Sequence, residues 1–290
     1  MDDPKTIGMQ TLREAQAAYV DQLRFLYELP EINSIFRIVI KERLNLSTSH
    51  LLINSGQCLR ENEQVELKEI LVRLCKAEPI QYILGHTEFY GLKLHVTPDT
   101  LIPRPETEEL VDRIIGRHKS GSNLRVLDIG TGSGCIAIAL AKNLPSAQVT
   151  AYDISTEALV IAKKNAEANQ VNVTWQQVNI LECSELPENL DIIISNPPYV
   201  RELEKNEIHK NVLEYEPHNA LFVPNEDPLR FYRKIAELAQ NALPKGGRLY
   251  FEINQYLPEE MKHLFTHYDF HDIRIRKDLS GKYRFAEARR

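Results

Sequence analysis

The sequence predicts an α/β protein: a doubly wound, mostly parallel sheet ending in an antiparallel hairpin, preceded by a small all-α bundle and a β-hairpin connector. Three observations carry this. Residues 11–77 show only helical apolar spacing, and from about residue 100 β-like and helical runs alternate. Leu190–Ser195 is an almost wholly apolar run of the kind buried on both faces of a parallel sheet.

Taken in order, Thr11 and Glu14 form a capping-box signal before Leu12, Tyr19, Leu23, Leu26 and Tyr27, which share a helical face. Pro30 is expected to end that segment. Ile32, Ile35, Phe36, Val39, Ile40 and Leu44 mark a second helix, a shorter one falls near Leu46–Ile53, and Val65, Ile70, Leu71 and Leu74 mark another. Each apolar stripe needs a packing partner, so these helices form a bundle over residues 1–78. In the connector, residues 79–99, the run Phe89–Val96 reads as a hairpin turning at Gly91. Residues 100–290 form the α/β domain. It begins with a helix through Leu110, Val111, Ile114 and Ile115, then a strand Leu124–Ile129, a helix Cys135–Lys142 and a strand Gln148–Tyr152. A helix Thr156–Asn169 begun by Ser155, a strand Val173–Val178 and the strand Leu190–Ser195 follow. After a polar stretch come a helix Pro228–Leu243, a strand Arg248–Ile253 and a helix Pro258–Phe265; strands near Asp272–Arg276 and Tyr283–Ala288 close the chain.

Composition narrows the function. The chain has 290 residues, 43% hydrophobic and 26% charged, which excludes collagen-like and wholly disordered classes. Its longest apolar run, Cys135–Ala141, is far short of the ~20 residues a membrane helix needs. The acidic start Met1-Asp2-Asp3-Pro4 does not read as a signal peptide, so a cytoplasmic location is expected. Lys and Arg number 35 against 41 Asp and Glu, so no global field draws the protein to nucleic acid or membrane. Cys58, Cys75, Cys135 and Cys183 lie far apart and read as reduced structural thiols. His263, His267 and His271 step by four but span a helix end, a turn and a strand, so no metal site is expected. Arg274–Arg290 carries seven Lys/Arg and two Asp/Glu, a basic run that a solvated strand face explains.

Two stretches carry chemistry. In the first, Asp128-Ile129 leads into Gly130-Thr131-Gly132-Ser133-Gly134 between the first strand and its helix. Glycines there let the backbone turn sharply and approach a ligand, and Asp153, 23 residues after Gly130, can accept both ribose hydroxyls of a nucleoside. A dinucleotide loop would read G-x-G-x-x-G, and a phosphate loop would carry Gly-Lys-Ser/Thr, which is missing. Glycines that only turn the chain stay open as a reading. In the remaining one the loop resembles motif I of class I methyltransferases, and that resemblance implies a loop lying under the methionine part of S-adenosylmethionine.

The second stretch is Asn196-Pro197-Pro198-Tyr199, directly after the buried strand. Pro-Pro supplies no backbone donors and fixes a rigid exit from the sheet. Asn196 thereby offers a side-chain carbonyl, Pro197 a main-chain carbonyl and Tyr199 a flat face. A planar N–H₂ group is a poor nucleophile because its lone pair is delocalised. Two acceptors on its hydrogens push density onto nitrogen and stabilise the charge that grows as a methyl arrives. A simple Pro-Pro turn is the competing reading.

These residues together resemble an established family. Asn196–Tyr199 resembles the motif of amino-group methyltransferases, and the chain is similar to the protein-glutamine N5-methyltransferases of peptide chain release factors, the PrmC/HemK family. The similarity extends to Glu78–Gly85, Phe89-Tyr90-Gly91, Leu101–Glu108, the glycine loop, Tyr215-Glu216-Pro217 and Lys277–Arg284; Ile102–Glu108 is its most family-specific piece. The resemblance implies a Rossmann-like class I methyltransferase domain with a seven-stranded sheet. It implies S-adenosylmethionine held by Gly130, Thr131, Gly132, Ser133, Gly134, Asp153, Asn179, Ile180 and Asn196. It also implies a glutamine pocket from Asn196, Pro197, Pro198 and Tyr199, with Asn196, Pro197 and Tyr199 catalytic. Asn179 stands where the family often has an acid, Ile180 where an aromatic often follows, and Asn254 where Gly is usual. The implied substrate is the Gly-Gly-Gln glutamine of class 1 release factors, with the helical bundle as a second contact surface or simply a cover for the sheet edge. A ribosomal-protein glutamine, or an exocyclic amine of DNA or RNA, remains an alternative substrate, the latter disfavoured by the net charge of −6.

Overall fold

The computed structural model describes residues 7–119 and 123–290; the acidic start Met1–Pro4 lies outside them. In chain order the first half runs α1 (Leu12–Leu23), α2 (Leu29–Leu44), α3 (Thr48–Ile53), α4 (Glu61–Leu74), α5 (Ile80–Leu84), β1 (His86–Phe89), β2 (Leu92–His95), α6 (Pro105–His118), β3 (Arg125–Ile129), α7 (Cys135–Asn143) and β4 (Gln148–Asp153). Then come α8 (Thr156–Asn169), β5 (Thr174–Gln177), β6 (Ile192–Ser195), β7 (Val200–Arg201), α9 (Lys210–Tyr215), β8 (Phe222–Val223), α10 (Arg230–Ala242), β9 (Arg248–Glu252), α11 (Pro258–His267), β10 (His271–Lys277) and β11 (Tyr283–Arg289). The chain divides into two compact units. One runs to Leu84 and takes in Lys210–Tyr215; the other holds Gly85–His209 and Glu216–Arg290.

The first unit is all helix. Thr11 caps α1 by accepting from the Glu14 amide, while Glu14 accepts from Gln10 rather than from Thr11. Pro30 does not close α1, which stops at Leu23, but sits in the first turn of α2, where a missing N–H breaks no helical bond. Tyr19, Phe36, Leu67 and Leu71 share one buried core, and the Tyr19 hydroxyl donates to the Leu67 carbonyl. Burying side chains of this size stabilises by roughly 1.5–3 kcal/mol each. Val65 is half exposed, lying off the stripe of Leu67, Ile70, Leu71 and Leu74. α9 belongs to this unit, and the Tyr215 hydroxyl donates to the Lys76 carbonyl.

The second unit is built on a seven-stranded sheet in the order β10-β11-β9-β6-β3-β4-β5, parallel except where β11 pairs with β9 and β10. Alternate residues feed two cores. Val126, Ile192, Ile194 and Tyr250 face α6, α7 and the β1–β2 hairpin, while Leu127, Ile193, Leu249 and Phe251 face α10 and α11. That double burial is why Leu190–Ser195 lacks polar alternation. The hairpin turns at Tyr90 and Gly91, both at positive φ, as a two-residue connection demands. The polar stretch after Tyr199 holds more structure than its composition announces: α9, the parallel pair β7–β8, and 3-10 turns at Glu202–Glu207 and His218–Ala220. The basic C-terminal run is internally engaged, since Arg274 and Arg276 share Glu287 with Arg117 of α6.

Candidate active site

The carboxyl ends of β3, β4 and β6 open onto one cavity of about 280 Å³. Such a crevice is where doubly wound sheets bind ligands, because the strand ends stop there while the loops diverge. Gly130 and Gly132 form one wall and Asp153 to Ser155 the next; Asn196, Pro197 and Pro198 face in from the end of β6.

Both wall glycines have positive φ, and a Cβ built on either meets nothing within 4 Å. Asp153 already accepts two loop amides, Gly132 N at 2.8 Å and Ser155 N at 2.9 Å. Those bonds aim the carboxylate, and each oxygen keeps a further lone pair for a hydroxyl. Burial raises its pKa, with the amides of Ser155 and Gly132 pulling the other way. Ile154, Val178, Ile180 and Leu181 give the cavity an apolar side. Asn179 is also on the wall, and its Oδ1 accepts from Leu181 N at 3.2 Å, which fixes the side chain and uses one lone pair.

Three expected loop residues are not among the cavity-lining ones. Thr131 is buried and donates to Asp128 Oδ2 at 2.6 Å, bracing the loop from beneath. Ser133 is buried, and its carbonyl accepts from Asn165 of α8. Gly134 packs against Ile138, Ala162 and Trp175.

Around Asn196 the side chains form a chain of hydrogen bonds. Asn196 Nδ2 donates to Thr107 Oγ1 at 3.4 Å, and Thr107 donates to Glu252 Oε2 at 2.7 Å. The Tyr199 hydroxyl donates to Glu252 Oε1 at 3.0 Å and accepts from Arg284 at 3.2 Å. Tyr199 thus turns its hydroxyl into this network and is not among the cavity-lining residues. Burial pushes its pKa far above the usual phenol value, and the Glu252 carboxylate adds to that. Behind it, buried Asn254 donates to the Tyr199 carbonyl at 2.9 Å and to Glu204 at 2.8 Å, pinning the strand exit.

The stretch Ile102–Glu108 reaches the same place from the other side. Buried Glu216 accepts from Ile102 N at 3.1 Å and from Arg104 at 2.6 Å. This clamp ties Asp99, Thr100 and Leu101 on the cavity wall to Pro217, Asn219 and Ala220 on the same wall. Thr107, Glu216, Glu252 and Arg284 were not singled out from the sequence. For Thr107, Glu216 and Arg284 the signal was the family-like stretches in which they lie; Glu252 falls outside them, two residues before Asn254. Asn254 was noticed only as a departure from Gly.

Comparison with known proteins agrees with this geometry. Residues 108–220 match the family model described as Methyltransferase small domain, and residues 14–85 match the PrmC N-terminal domain. The release factor glutamine methyltransferase of Flavobacterium psychrophilum is 49% identical over 273 residues, covering 93% of this chain and 96% of that protein. Its namesake in Bacteroides thetaiotaomicron is 46% identical over 275 residues, 94% of this chain and 98% of the other. Among solved structures, a methyltransferase from Pyrococcus furiosus aligns with a TM-score of 0.50 at 21% identity, over 69% of this chain and 88% of that one, a likeness of fold. At this identity and coverage, the chain belongs to the release factor glutamine methyltransferases.

Proposed function

We propose that this protein transfers a methyl group from S-adenosylmethionine to the side-chain amide nitrogen, N5, of the glutamine in the Gly-Gly-Gln motif of class 1 peptide chain release factors. The observation that carries the reading is one cavity shared by Gly130, Gly132, Asp153 and the Asn196-Pro197-Pro198 exit, in a chain whose relatives bear that name.

The residues present fit the cofactor. Two wall positions lack a Cβ, an aimed carboxylate can take a ribose diol, and an apolar side suits a flat base. Gly130, Gly132, Asp153, Asn179 and Ile180 would hold it, with Thr131, Ser133 and Gly134 shaping the loop from behind. When bound, S-adenosylmethionine supplies a methyl carbon made electrophilic by its sulfonium. The rest is done by this chain. Asn196 Oδ1 and the Pro197 carbonyl accept the two hydrogens of the glutamine amide, hold its nitrogen in line, and stabilise the positive charge that grows there. The glutamine nitrogen would gain the methyl as the sulfonium loses it and would shed one proton only afterwards, so no strong base is needed beforehand. Pro198 and Tyr199 keep the two acceptors rigid. The all-α unit is proposed as the second surface that recognises the protein substrate, since one glutamine side chain offers little specificity. The reading includes a cytoplasmic location and no nucleic-acid substrate; the charge of −6 supports the latter, and among the described residues no helix is long and apolar enough to cross a membrane.

Incubation with labelled S-adenosylmethionine and a release factor tests this. Label should appear on the release factor and vanish when the Gly-Gly-Gln glutamine is replaced; label that survives the replacement would rule out the substrate. Asn196→Ala should lower kcat by roughly 100-fold or more while the protein stays folded. Wild-type turnover in that variant would remove Asn196 from the reaction.

A further inference from the structure

We propose that Thr107, held by Glu252, is a positioning residue that fixes which end of the Asn196 amide faces the substrate. The inference rests on the proposed function and deepens it.

An Asn side chain has an acceptor end and a donor end of nearly the same shape. Methylation of an –NH₂ group needs the acceptor end toward the substrate, because two donors facing each other repel. Nothing in the shape of Asn196 decides this, so a neighbour must. Thr107 Oγ1 is the neighbour, 3.4 Å from Asn196 Nδ2. A hydroxyl has one proton, and here it goes to Glu252 Oε2 at 2.7 Å. An ionised carboxylate only accepts, so Thr107 keeps only lone pairs for Asn196. Asn196 must then turn Nδ2 to Thr107, which leaves Oδ1 for the glutamine amide.

Glu252 is fitted for this task. It is 1% exposed at the end of β9. Burial raises its carboxyl, whereas the Thr107 hydroxyl, the Arg284 guanidinium and the Tyr199 hydroxyl favour its ionised form against Glu106. Arg284 is itself anchored by Asp278 at 3.3 Å. The relay thus joins α6, β9, β11 and the β6 exit around one carboxylate, Thr107 on Oε2 and Tyr199, itself held by Arg284, on Oε1. A buried charge is expensive unless its partners are complete, and here both oxygens have donors. This gives a role to Thr107 within its family-like stretch, although Thr107 is not itself among the cavity-lining residues.

The test compares wild type, Thr107→Val and Thr107→Ser in methyl transfer to a release factor, with S-adenosylmethionine affinity and thermal unfolding measured on each. Thr107→Val keeps the shape and removes the hydroxyl. Its kcat should fall roughly 10- to 100-fold, with cofactor affinity and KM for the release factor within about threefold of wild type. Thr107→Ser restores the hydroxyl and should recover kcat to within about threefold of wild type, although it loses a buried methyl. A Thr107→Val enzyme with wild-type kcat overturns the inference. So does Thr107→Ser as impaired as Thr107→Val, which would mean packing matters and not the hydroxyl. A loss confined to cofactor affinity or to folding overturns it as well. No transfer by the wild type removes the proposed function and the inference together, whereas active wild type with an unaffected Thr107→Val removes the inference alone.

Discussion

A Cβ at Gly134 would lie 2.9 Å from Ile138 Cδ1 and 3.1 Å from both Ala162 and Trp175. At Gly132, two residues earlier, a Cβ would meet nothing within 4 Å, and the residue lines the cavity. The two glycines answer different demands, one to packing of α7 against α8 and β5, the other to close approach of a ligand. Gly134→Ala should therefore lower unfolding stability by about 2–4 kcal/mol, combining overpacking with left-handed strain. Gly132→Ala should cost about 1 kcal/mol of stability from the backbone alone, and lose more in S-adenosylmethionine affinity. Denaturant melts and cofactor titration separate them; equal stability losses would contradict the distinction. From the sequence both read as members of one loop, since a spacing cannot tell a glycine that faces a ligand from one that faces a neighbouring helix.

At the scale of elements, Asn165 holds three pieces together from the middle of α8. Its Oδ1 accepts from His95 N at 2.6 Å, and its Nδ2 donates to the carbonyls of His95 and Ser133, each at 2.9 Å. One buried side chain thus fastens the β1–β2 hairpin and the glycine loop to α8. Asn165→Leu would strand three main-chain groups, at a cost of roughly 2–4 kcal/mol. Amide exchange should quicken at Leu92–His95 and in the loop, while α10 and α11 on the opposite face stay protected. Acceleration spread evenly over the sheet would argue against the local clasp. The limits of α8 were legible from its spacing and the Ser155 cap. That one polar residue within its apolar stripe serves as a clasp was not, because both partners are main-chain atoms far away in sequence.

The whole molecule carries a signature of its buried carboxylates. Asp128 is fully buried, and burial pushes its pKa from 3.8 to about 7 despite the Thr131 hydroxyl. Burial also raises Asp153 and Glu252. For Asp128 the unfolded chain ionises first as pH rises, while the fold keeps its proton. Asp128 therefore costs nothing below about pH 4, subtracts stability progressively up to about pH 7, and subtracts a constant amount above that. Asp128→Asn removes the titration yet keeps an oxygen for Thr131. The difference in Tm between this variant and wild type should move in the variant's favour between pH 4 and pH 7, then level off. A difference independent of pH would show that Asp128 is not titrating there.

What the sequence determined by itself was the architecture and the chemistry of the cavity wall. Apolar spacing set the helices, the double burial of β6 set the parallel sheet, and Gly130, Gly132, Asp153 and Asn196–Pro198 are brought together because strand order places their loops at one sheet edge. Tertiary structure alone decided what supports that wall. Thr107, Glu252 and Arg284 lie up to 177 residues apart in sequence, and only the sheet order and the α6 packing set them beside Asn196. The reason is physical. Periodicity reports which face of an element is buried, whereas a hydrogen-bond network depends on the distance between elements, and that distance is set by how their cores pack.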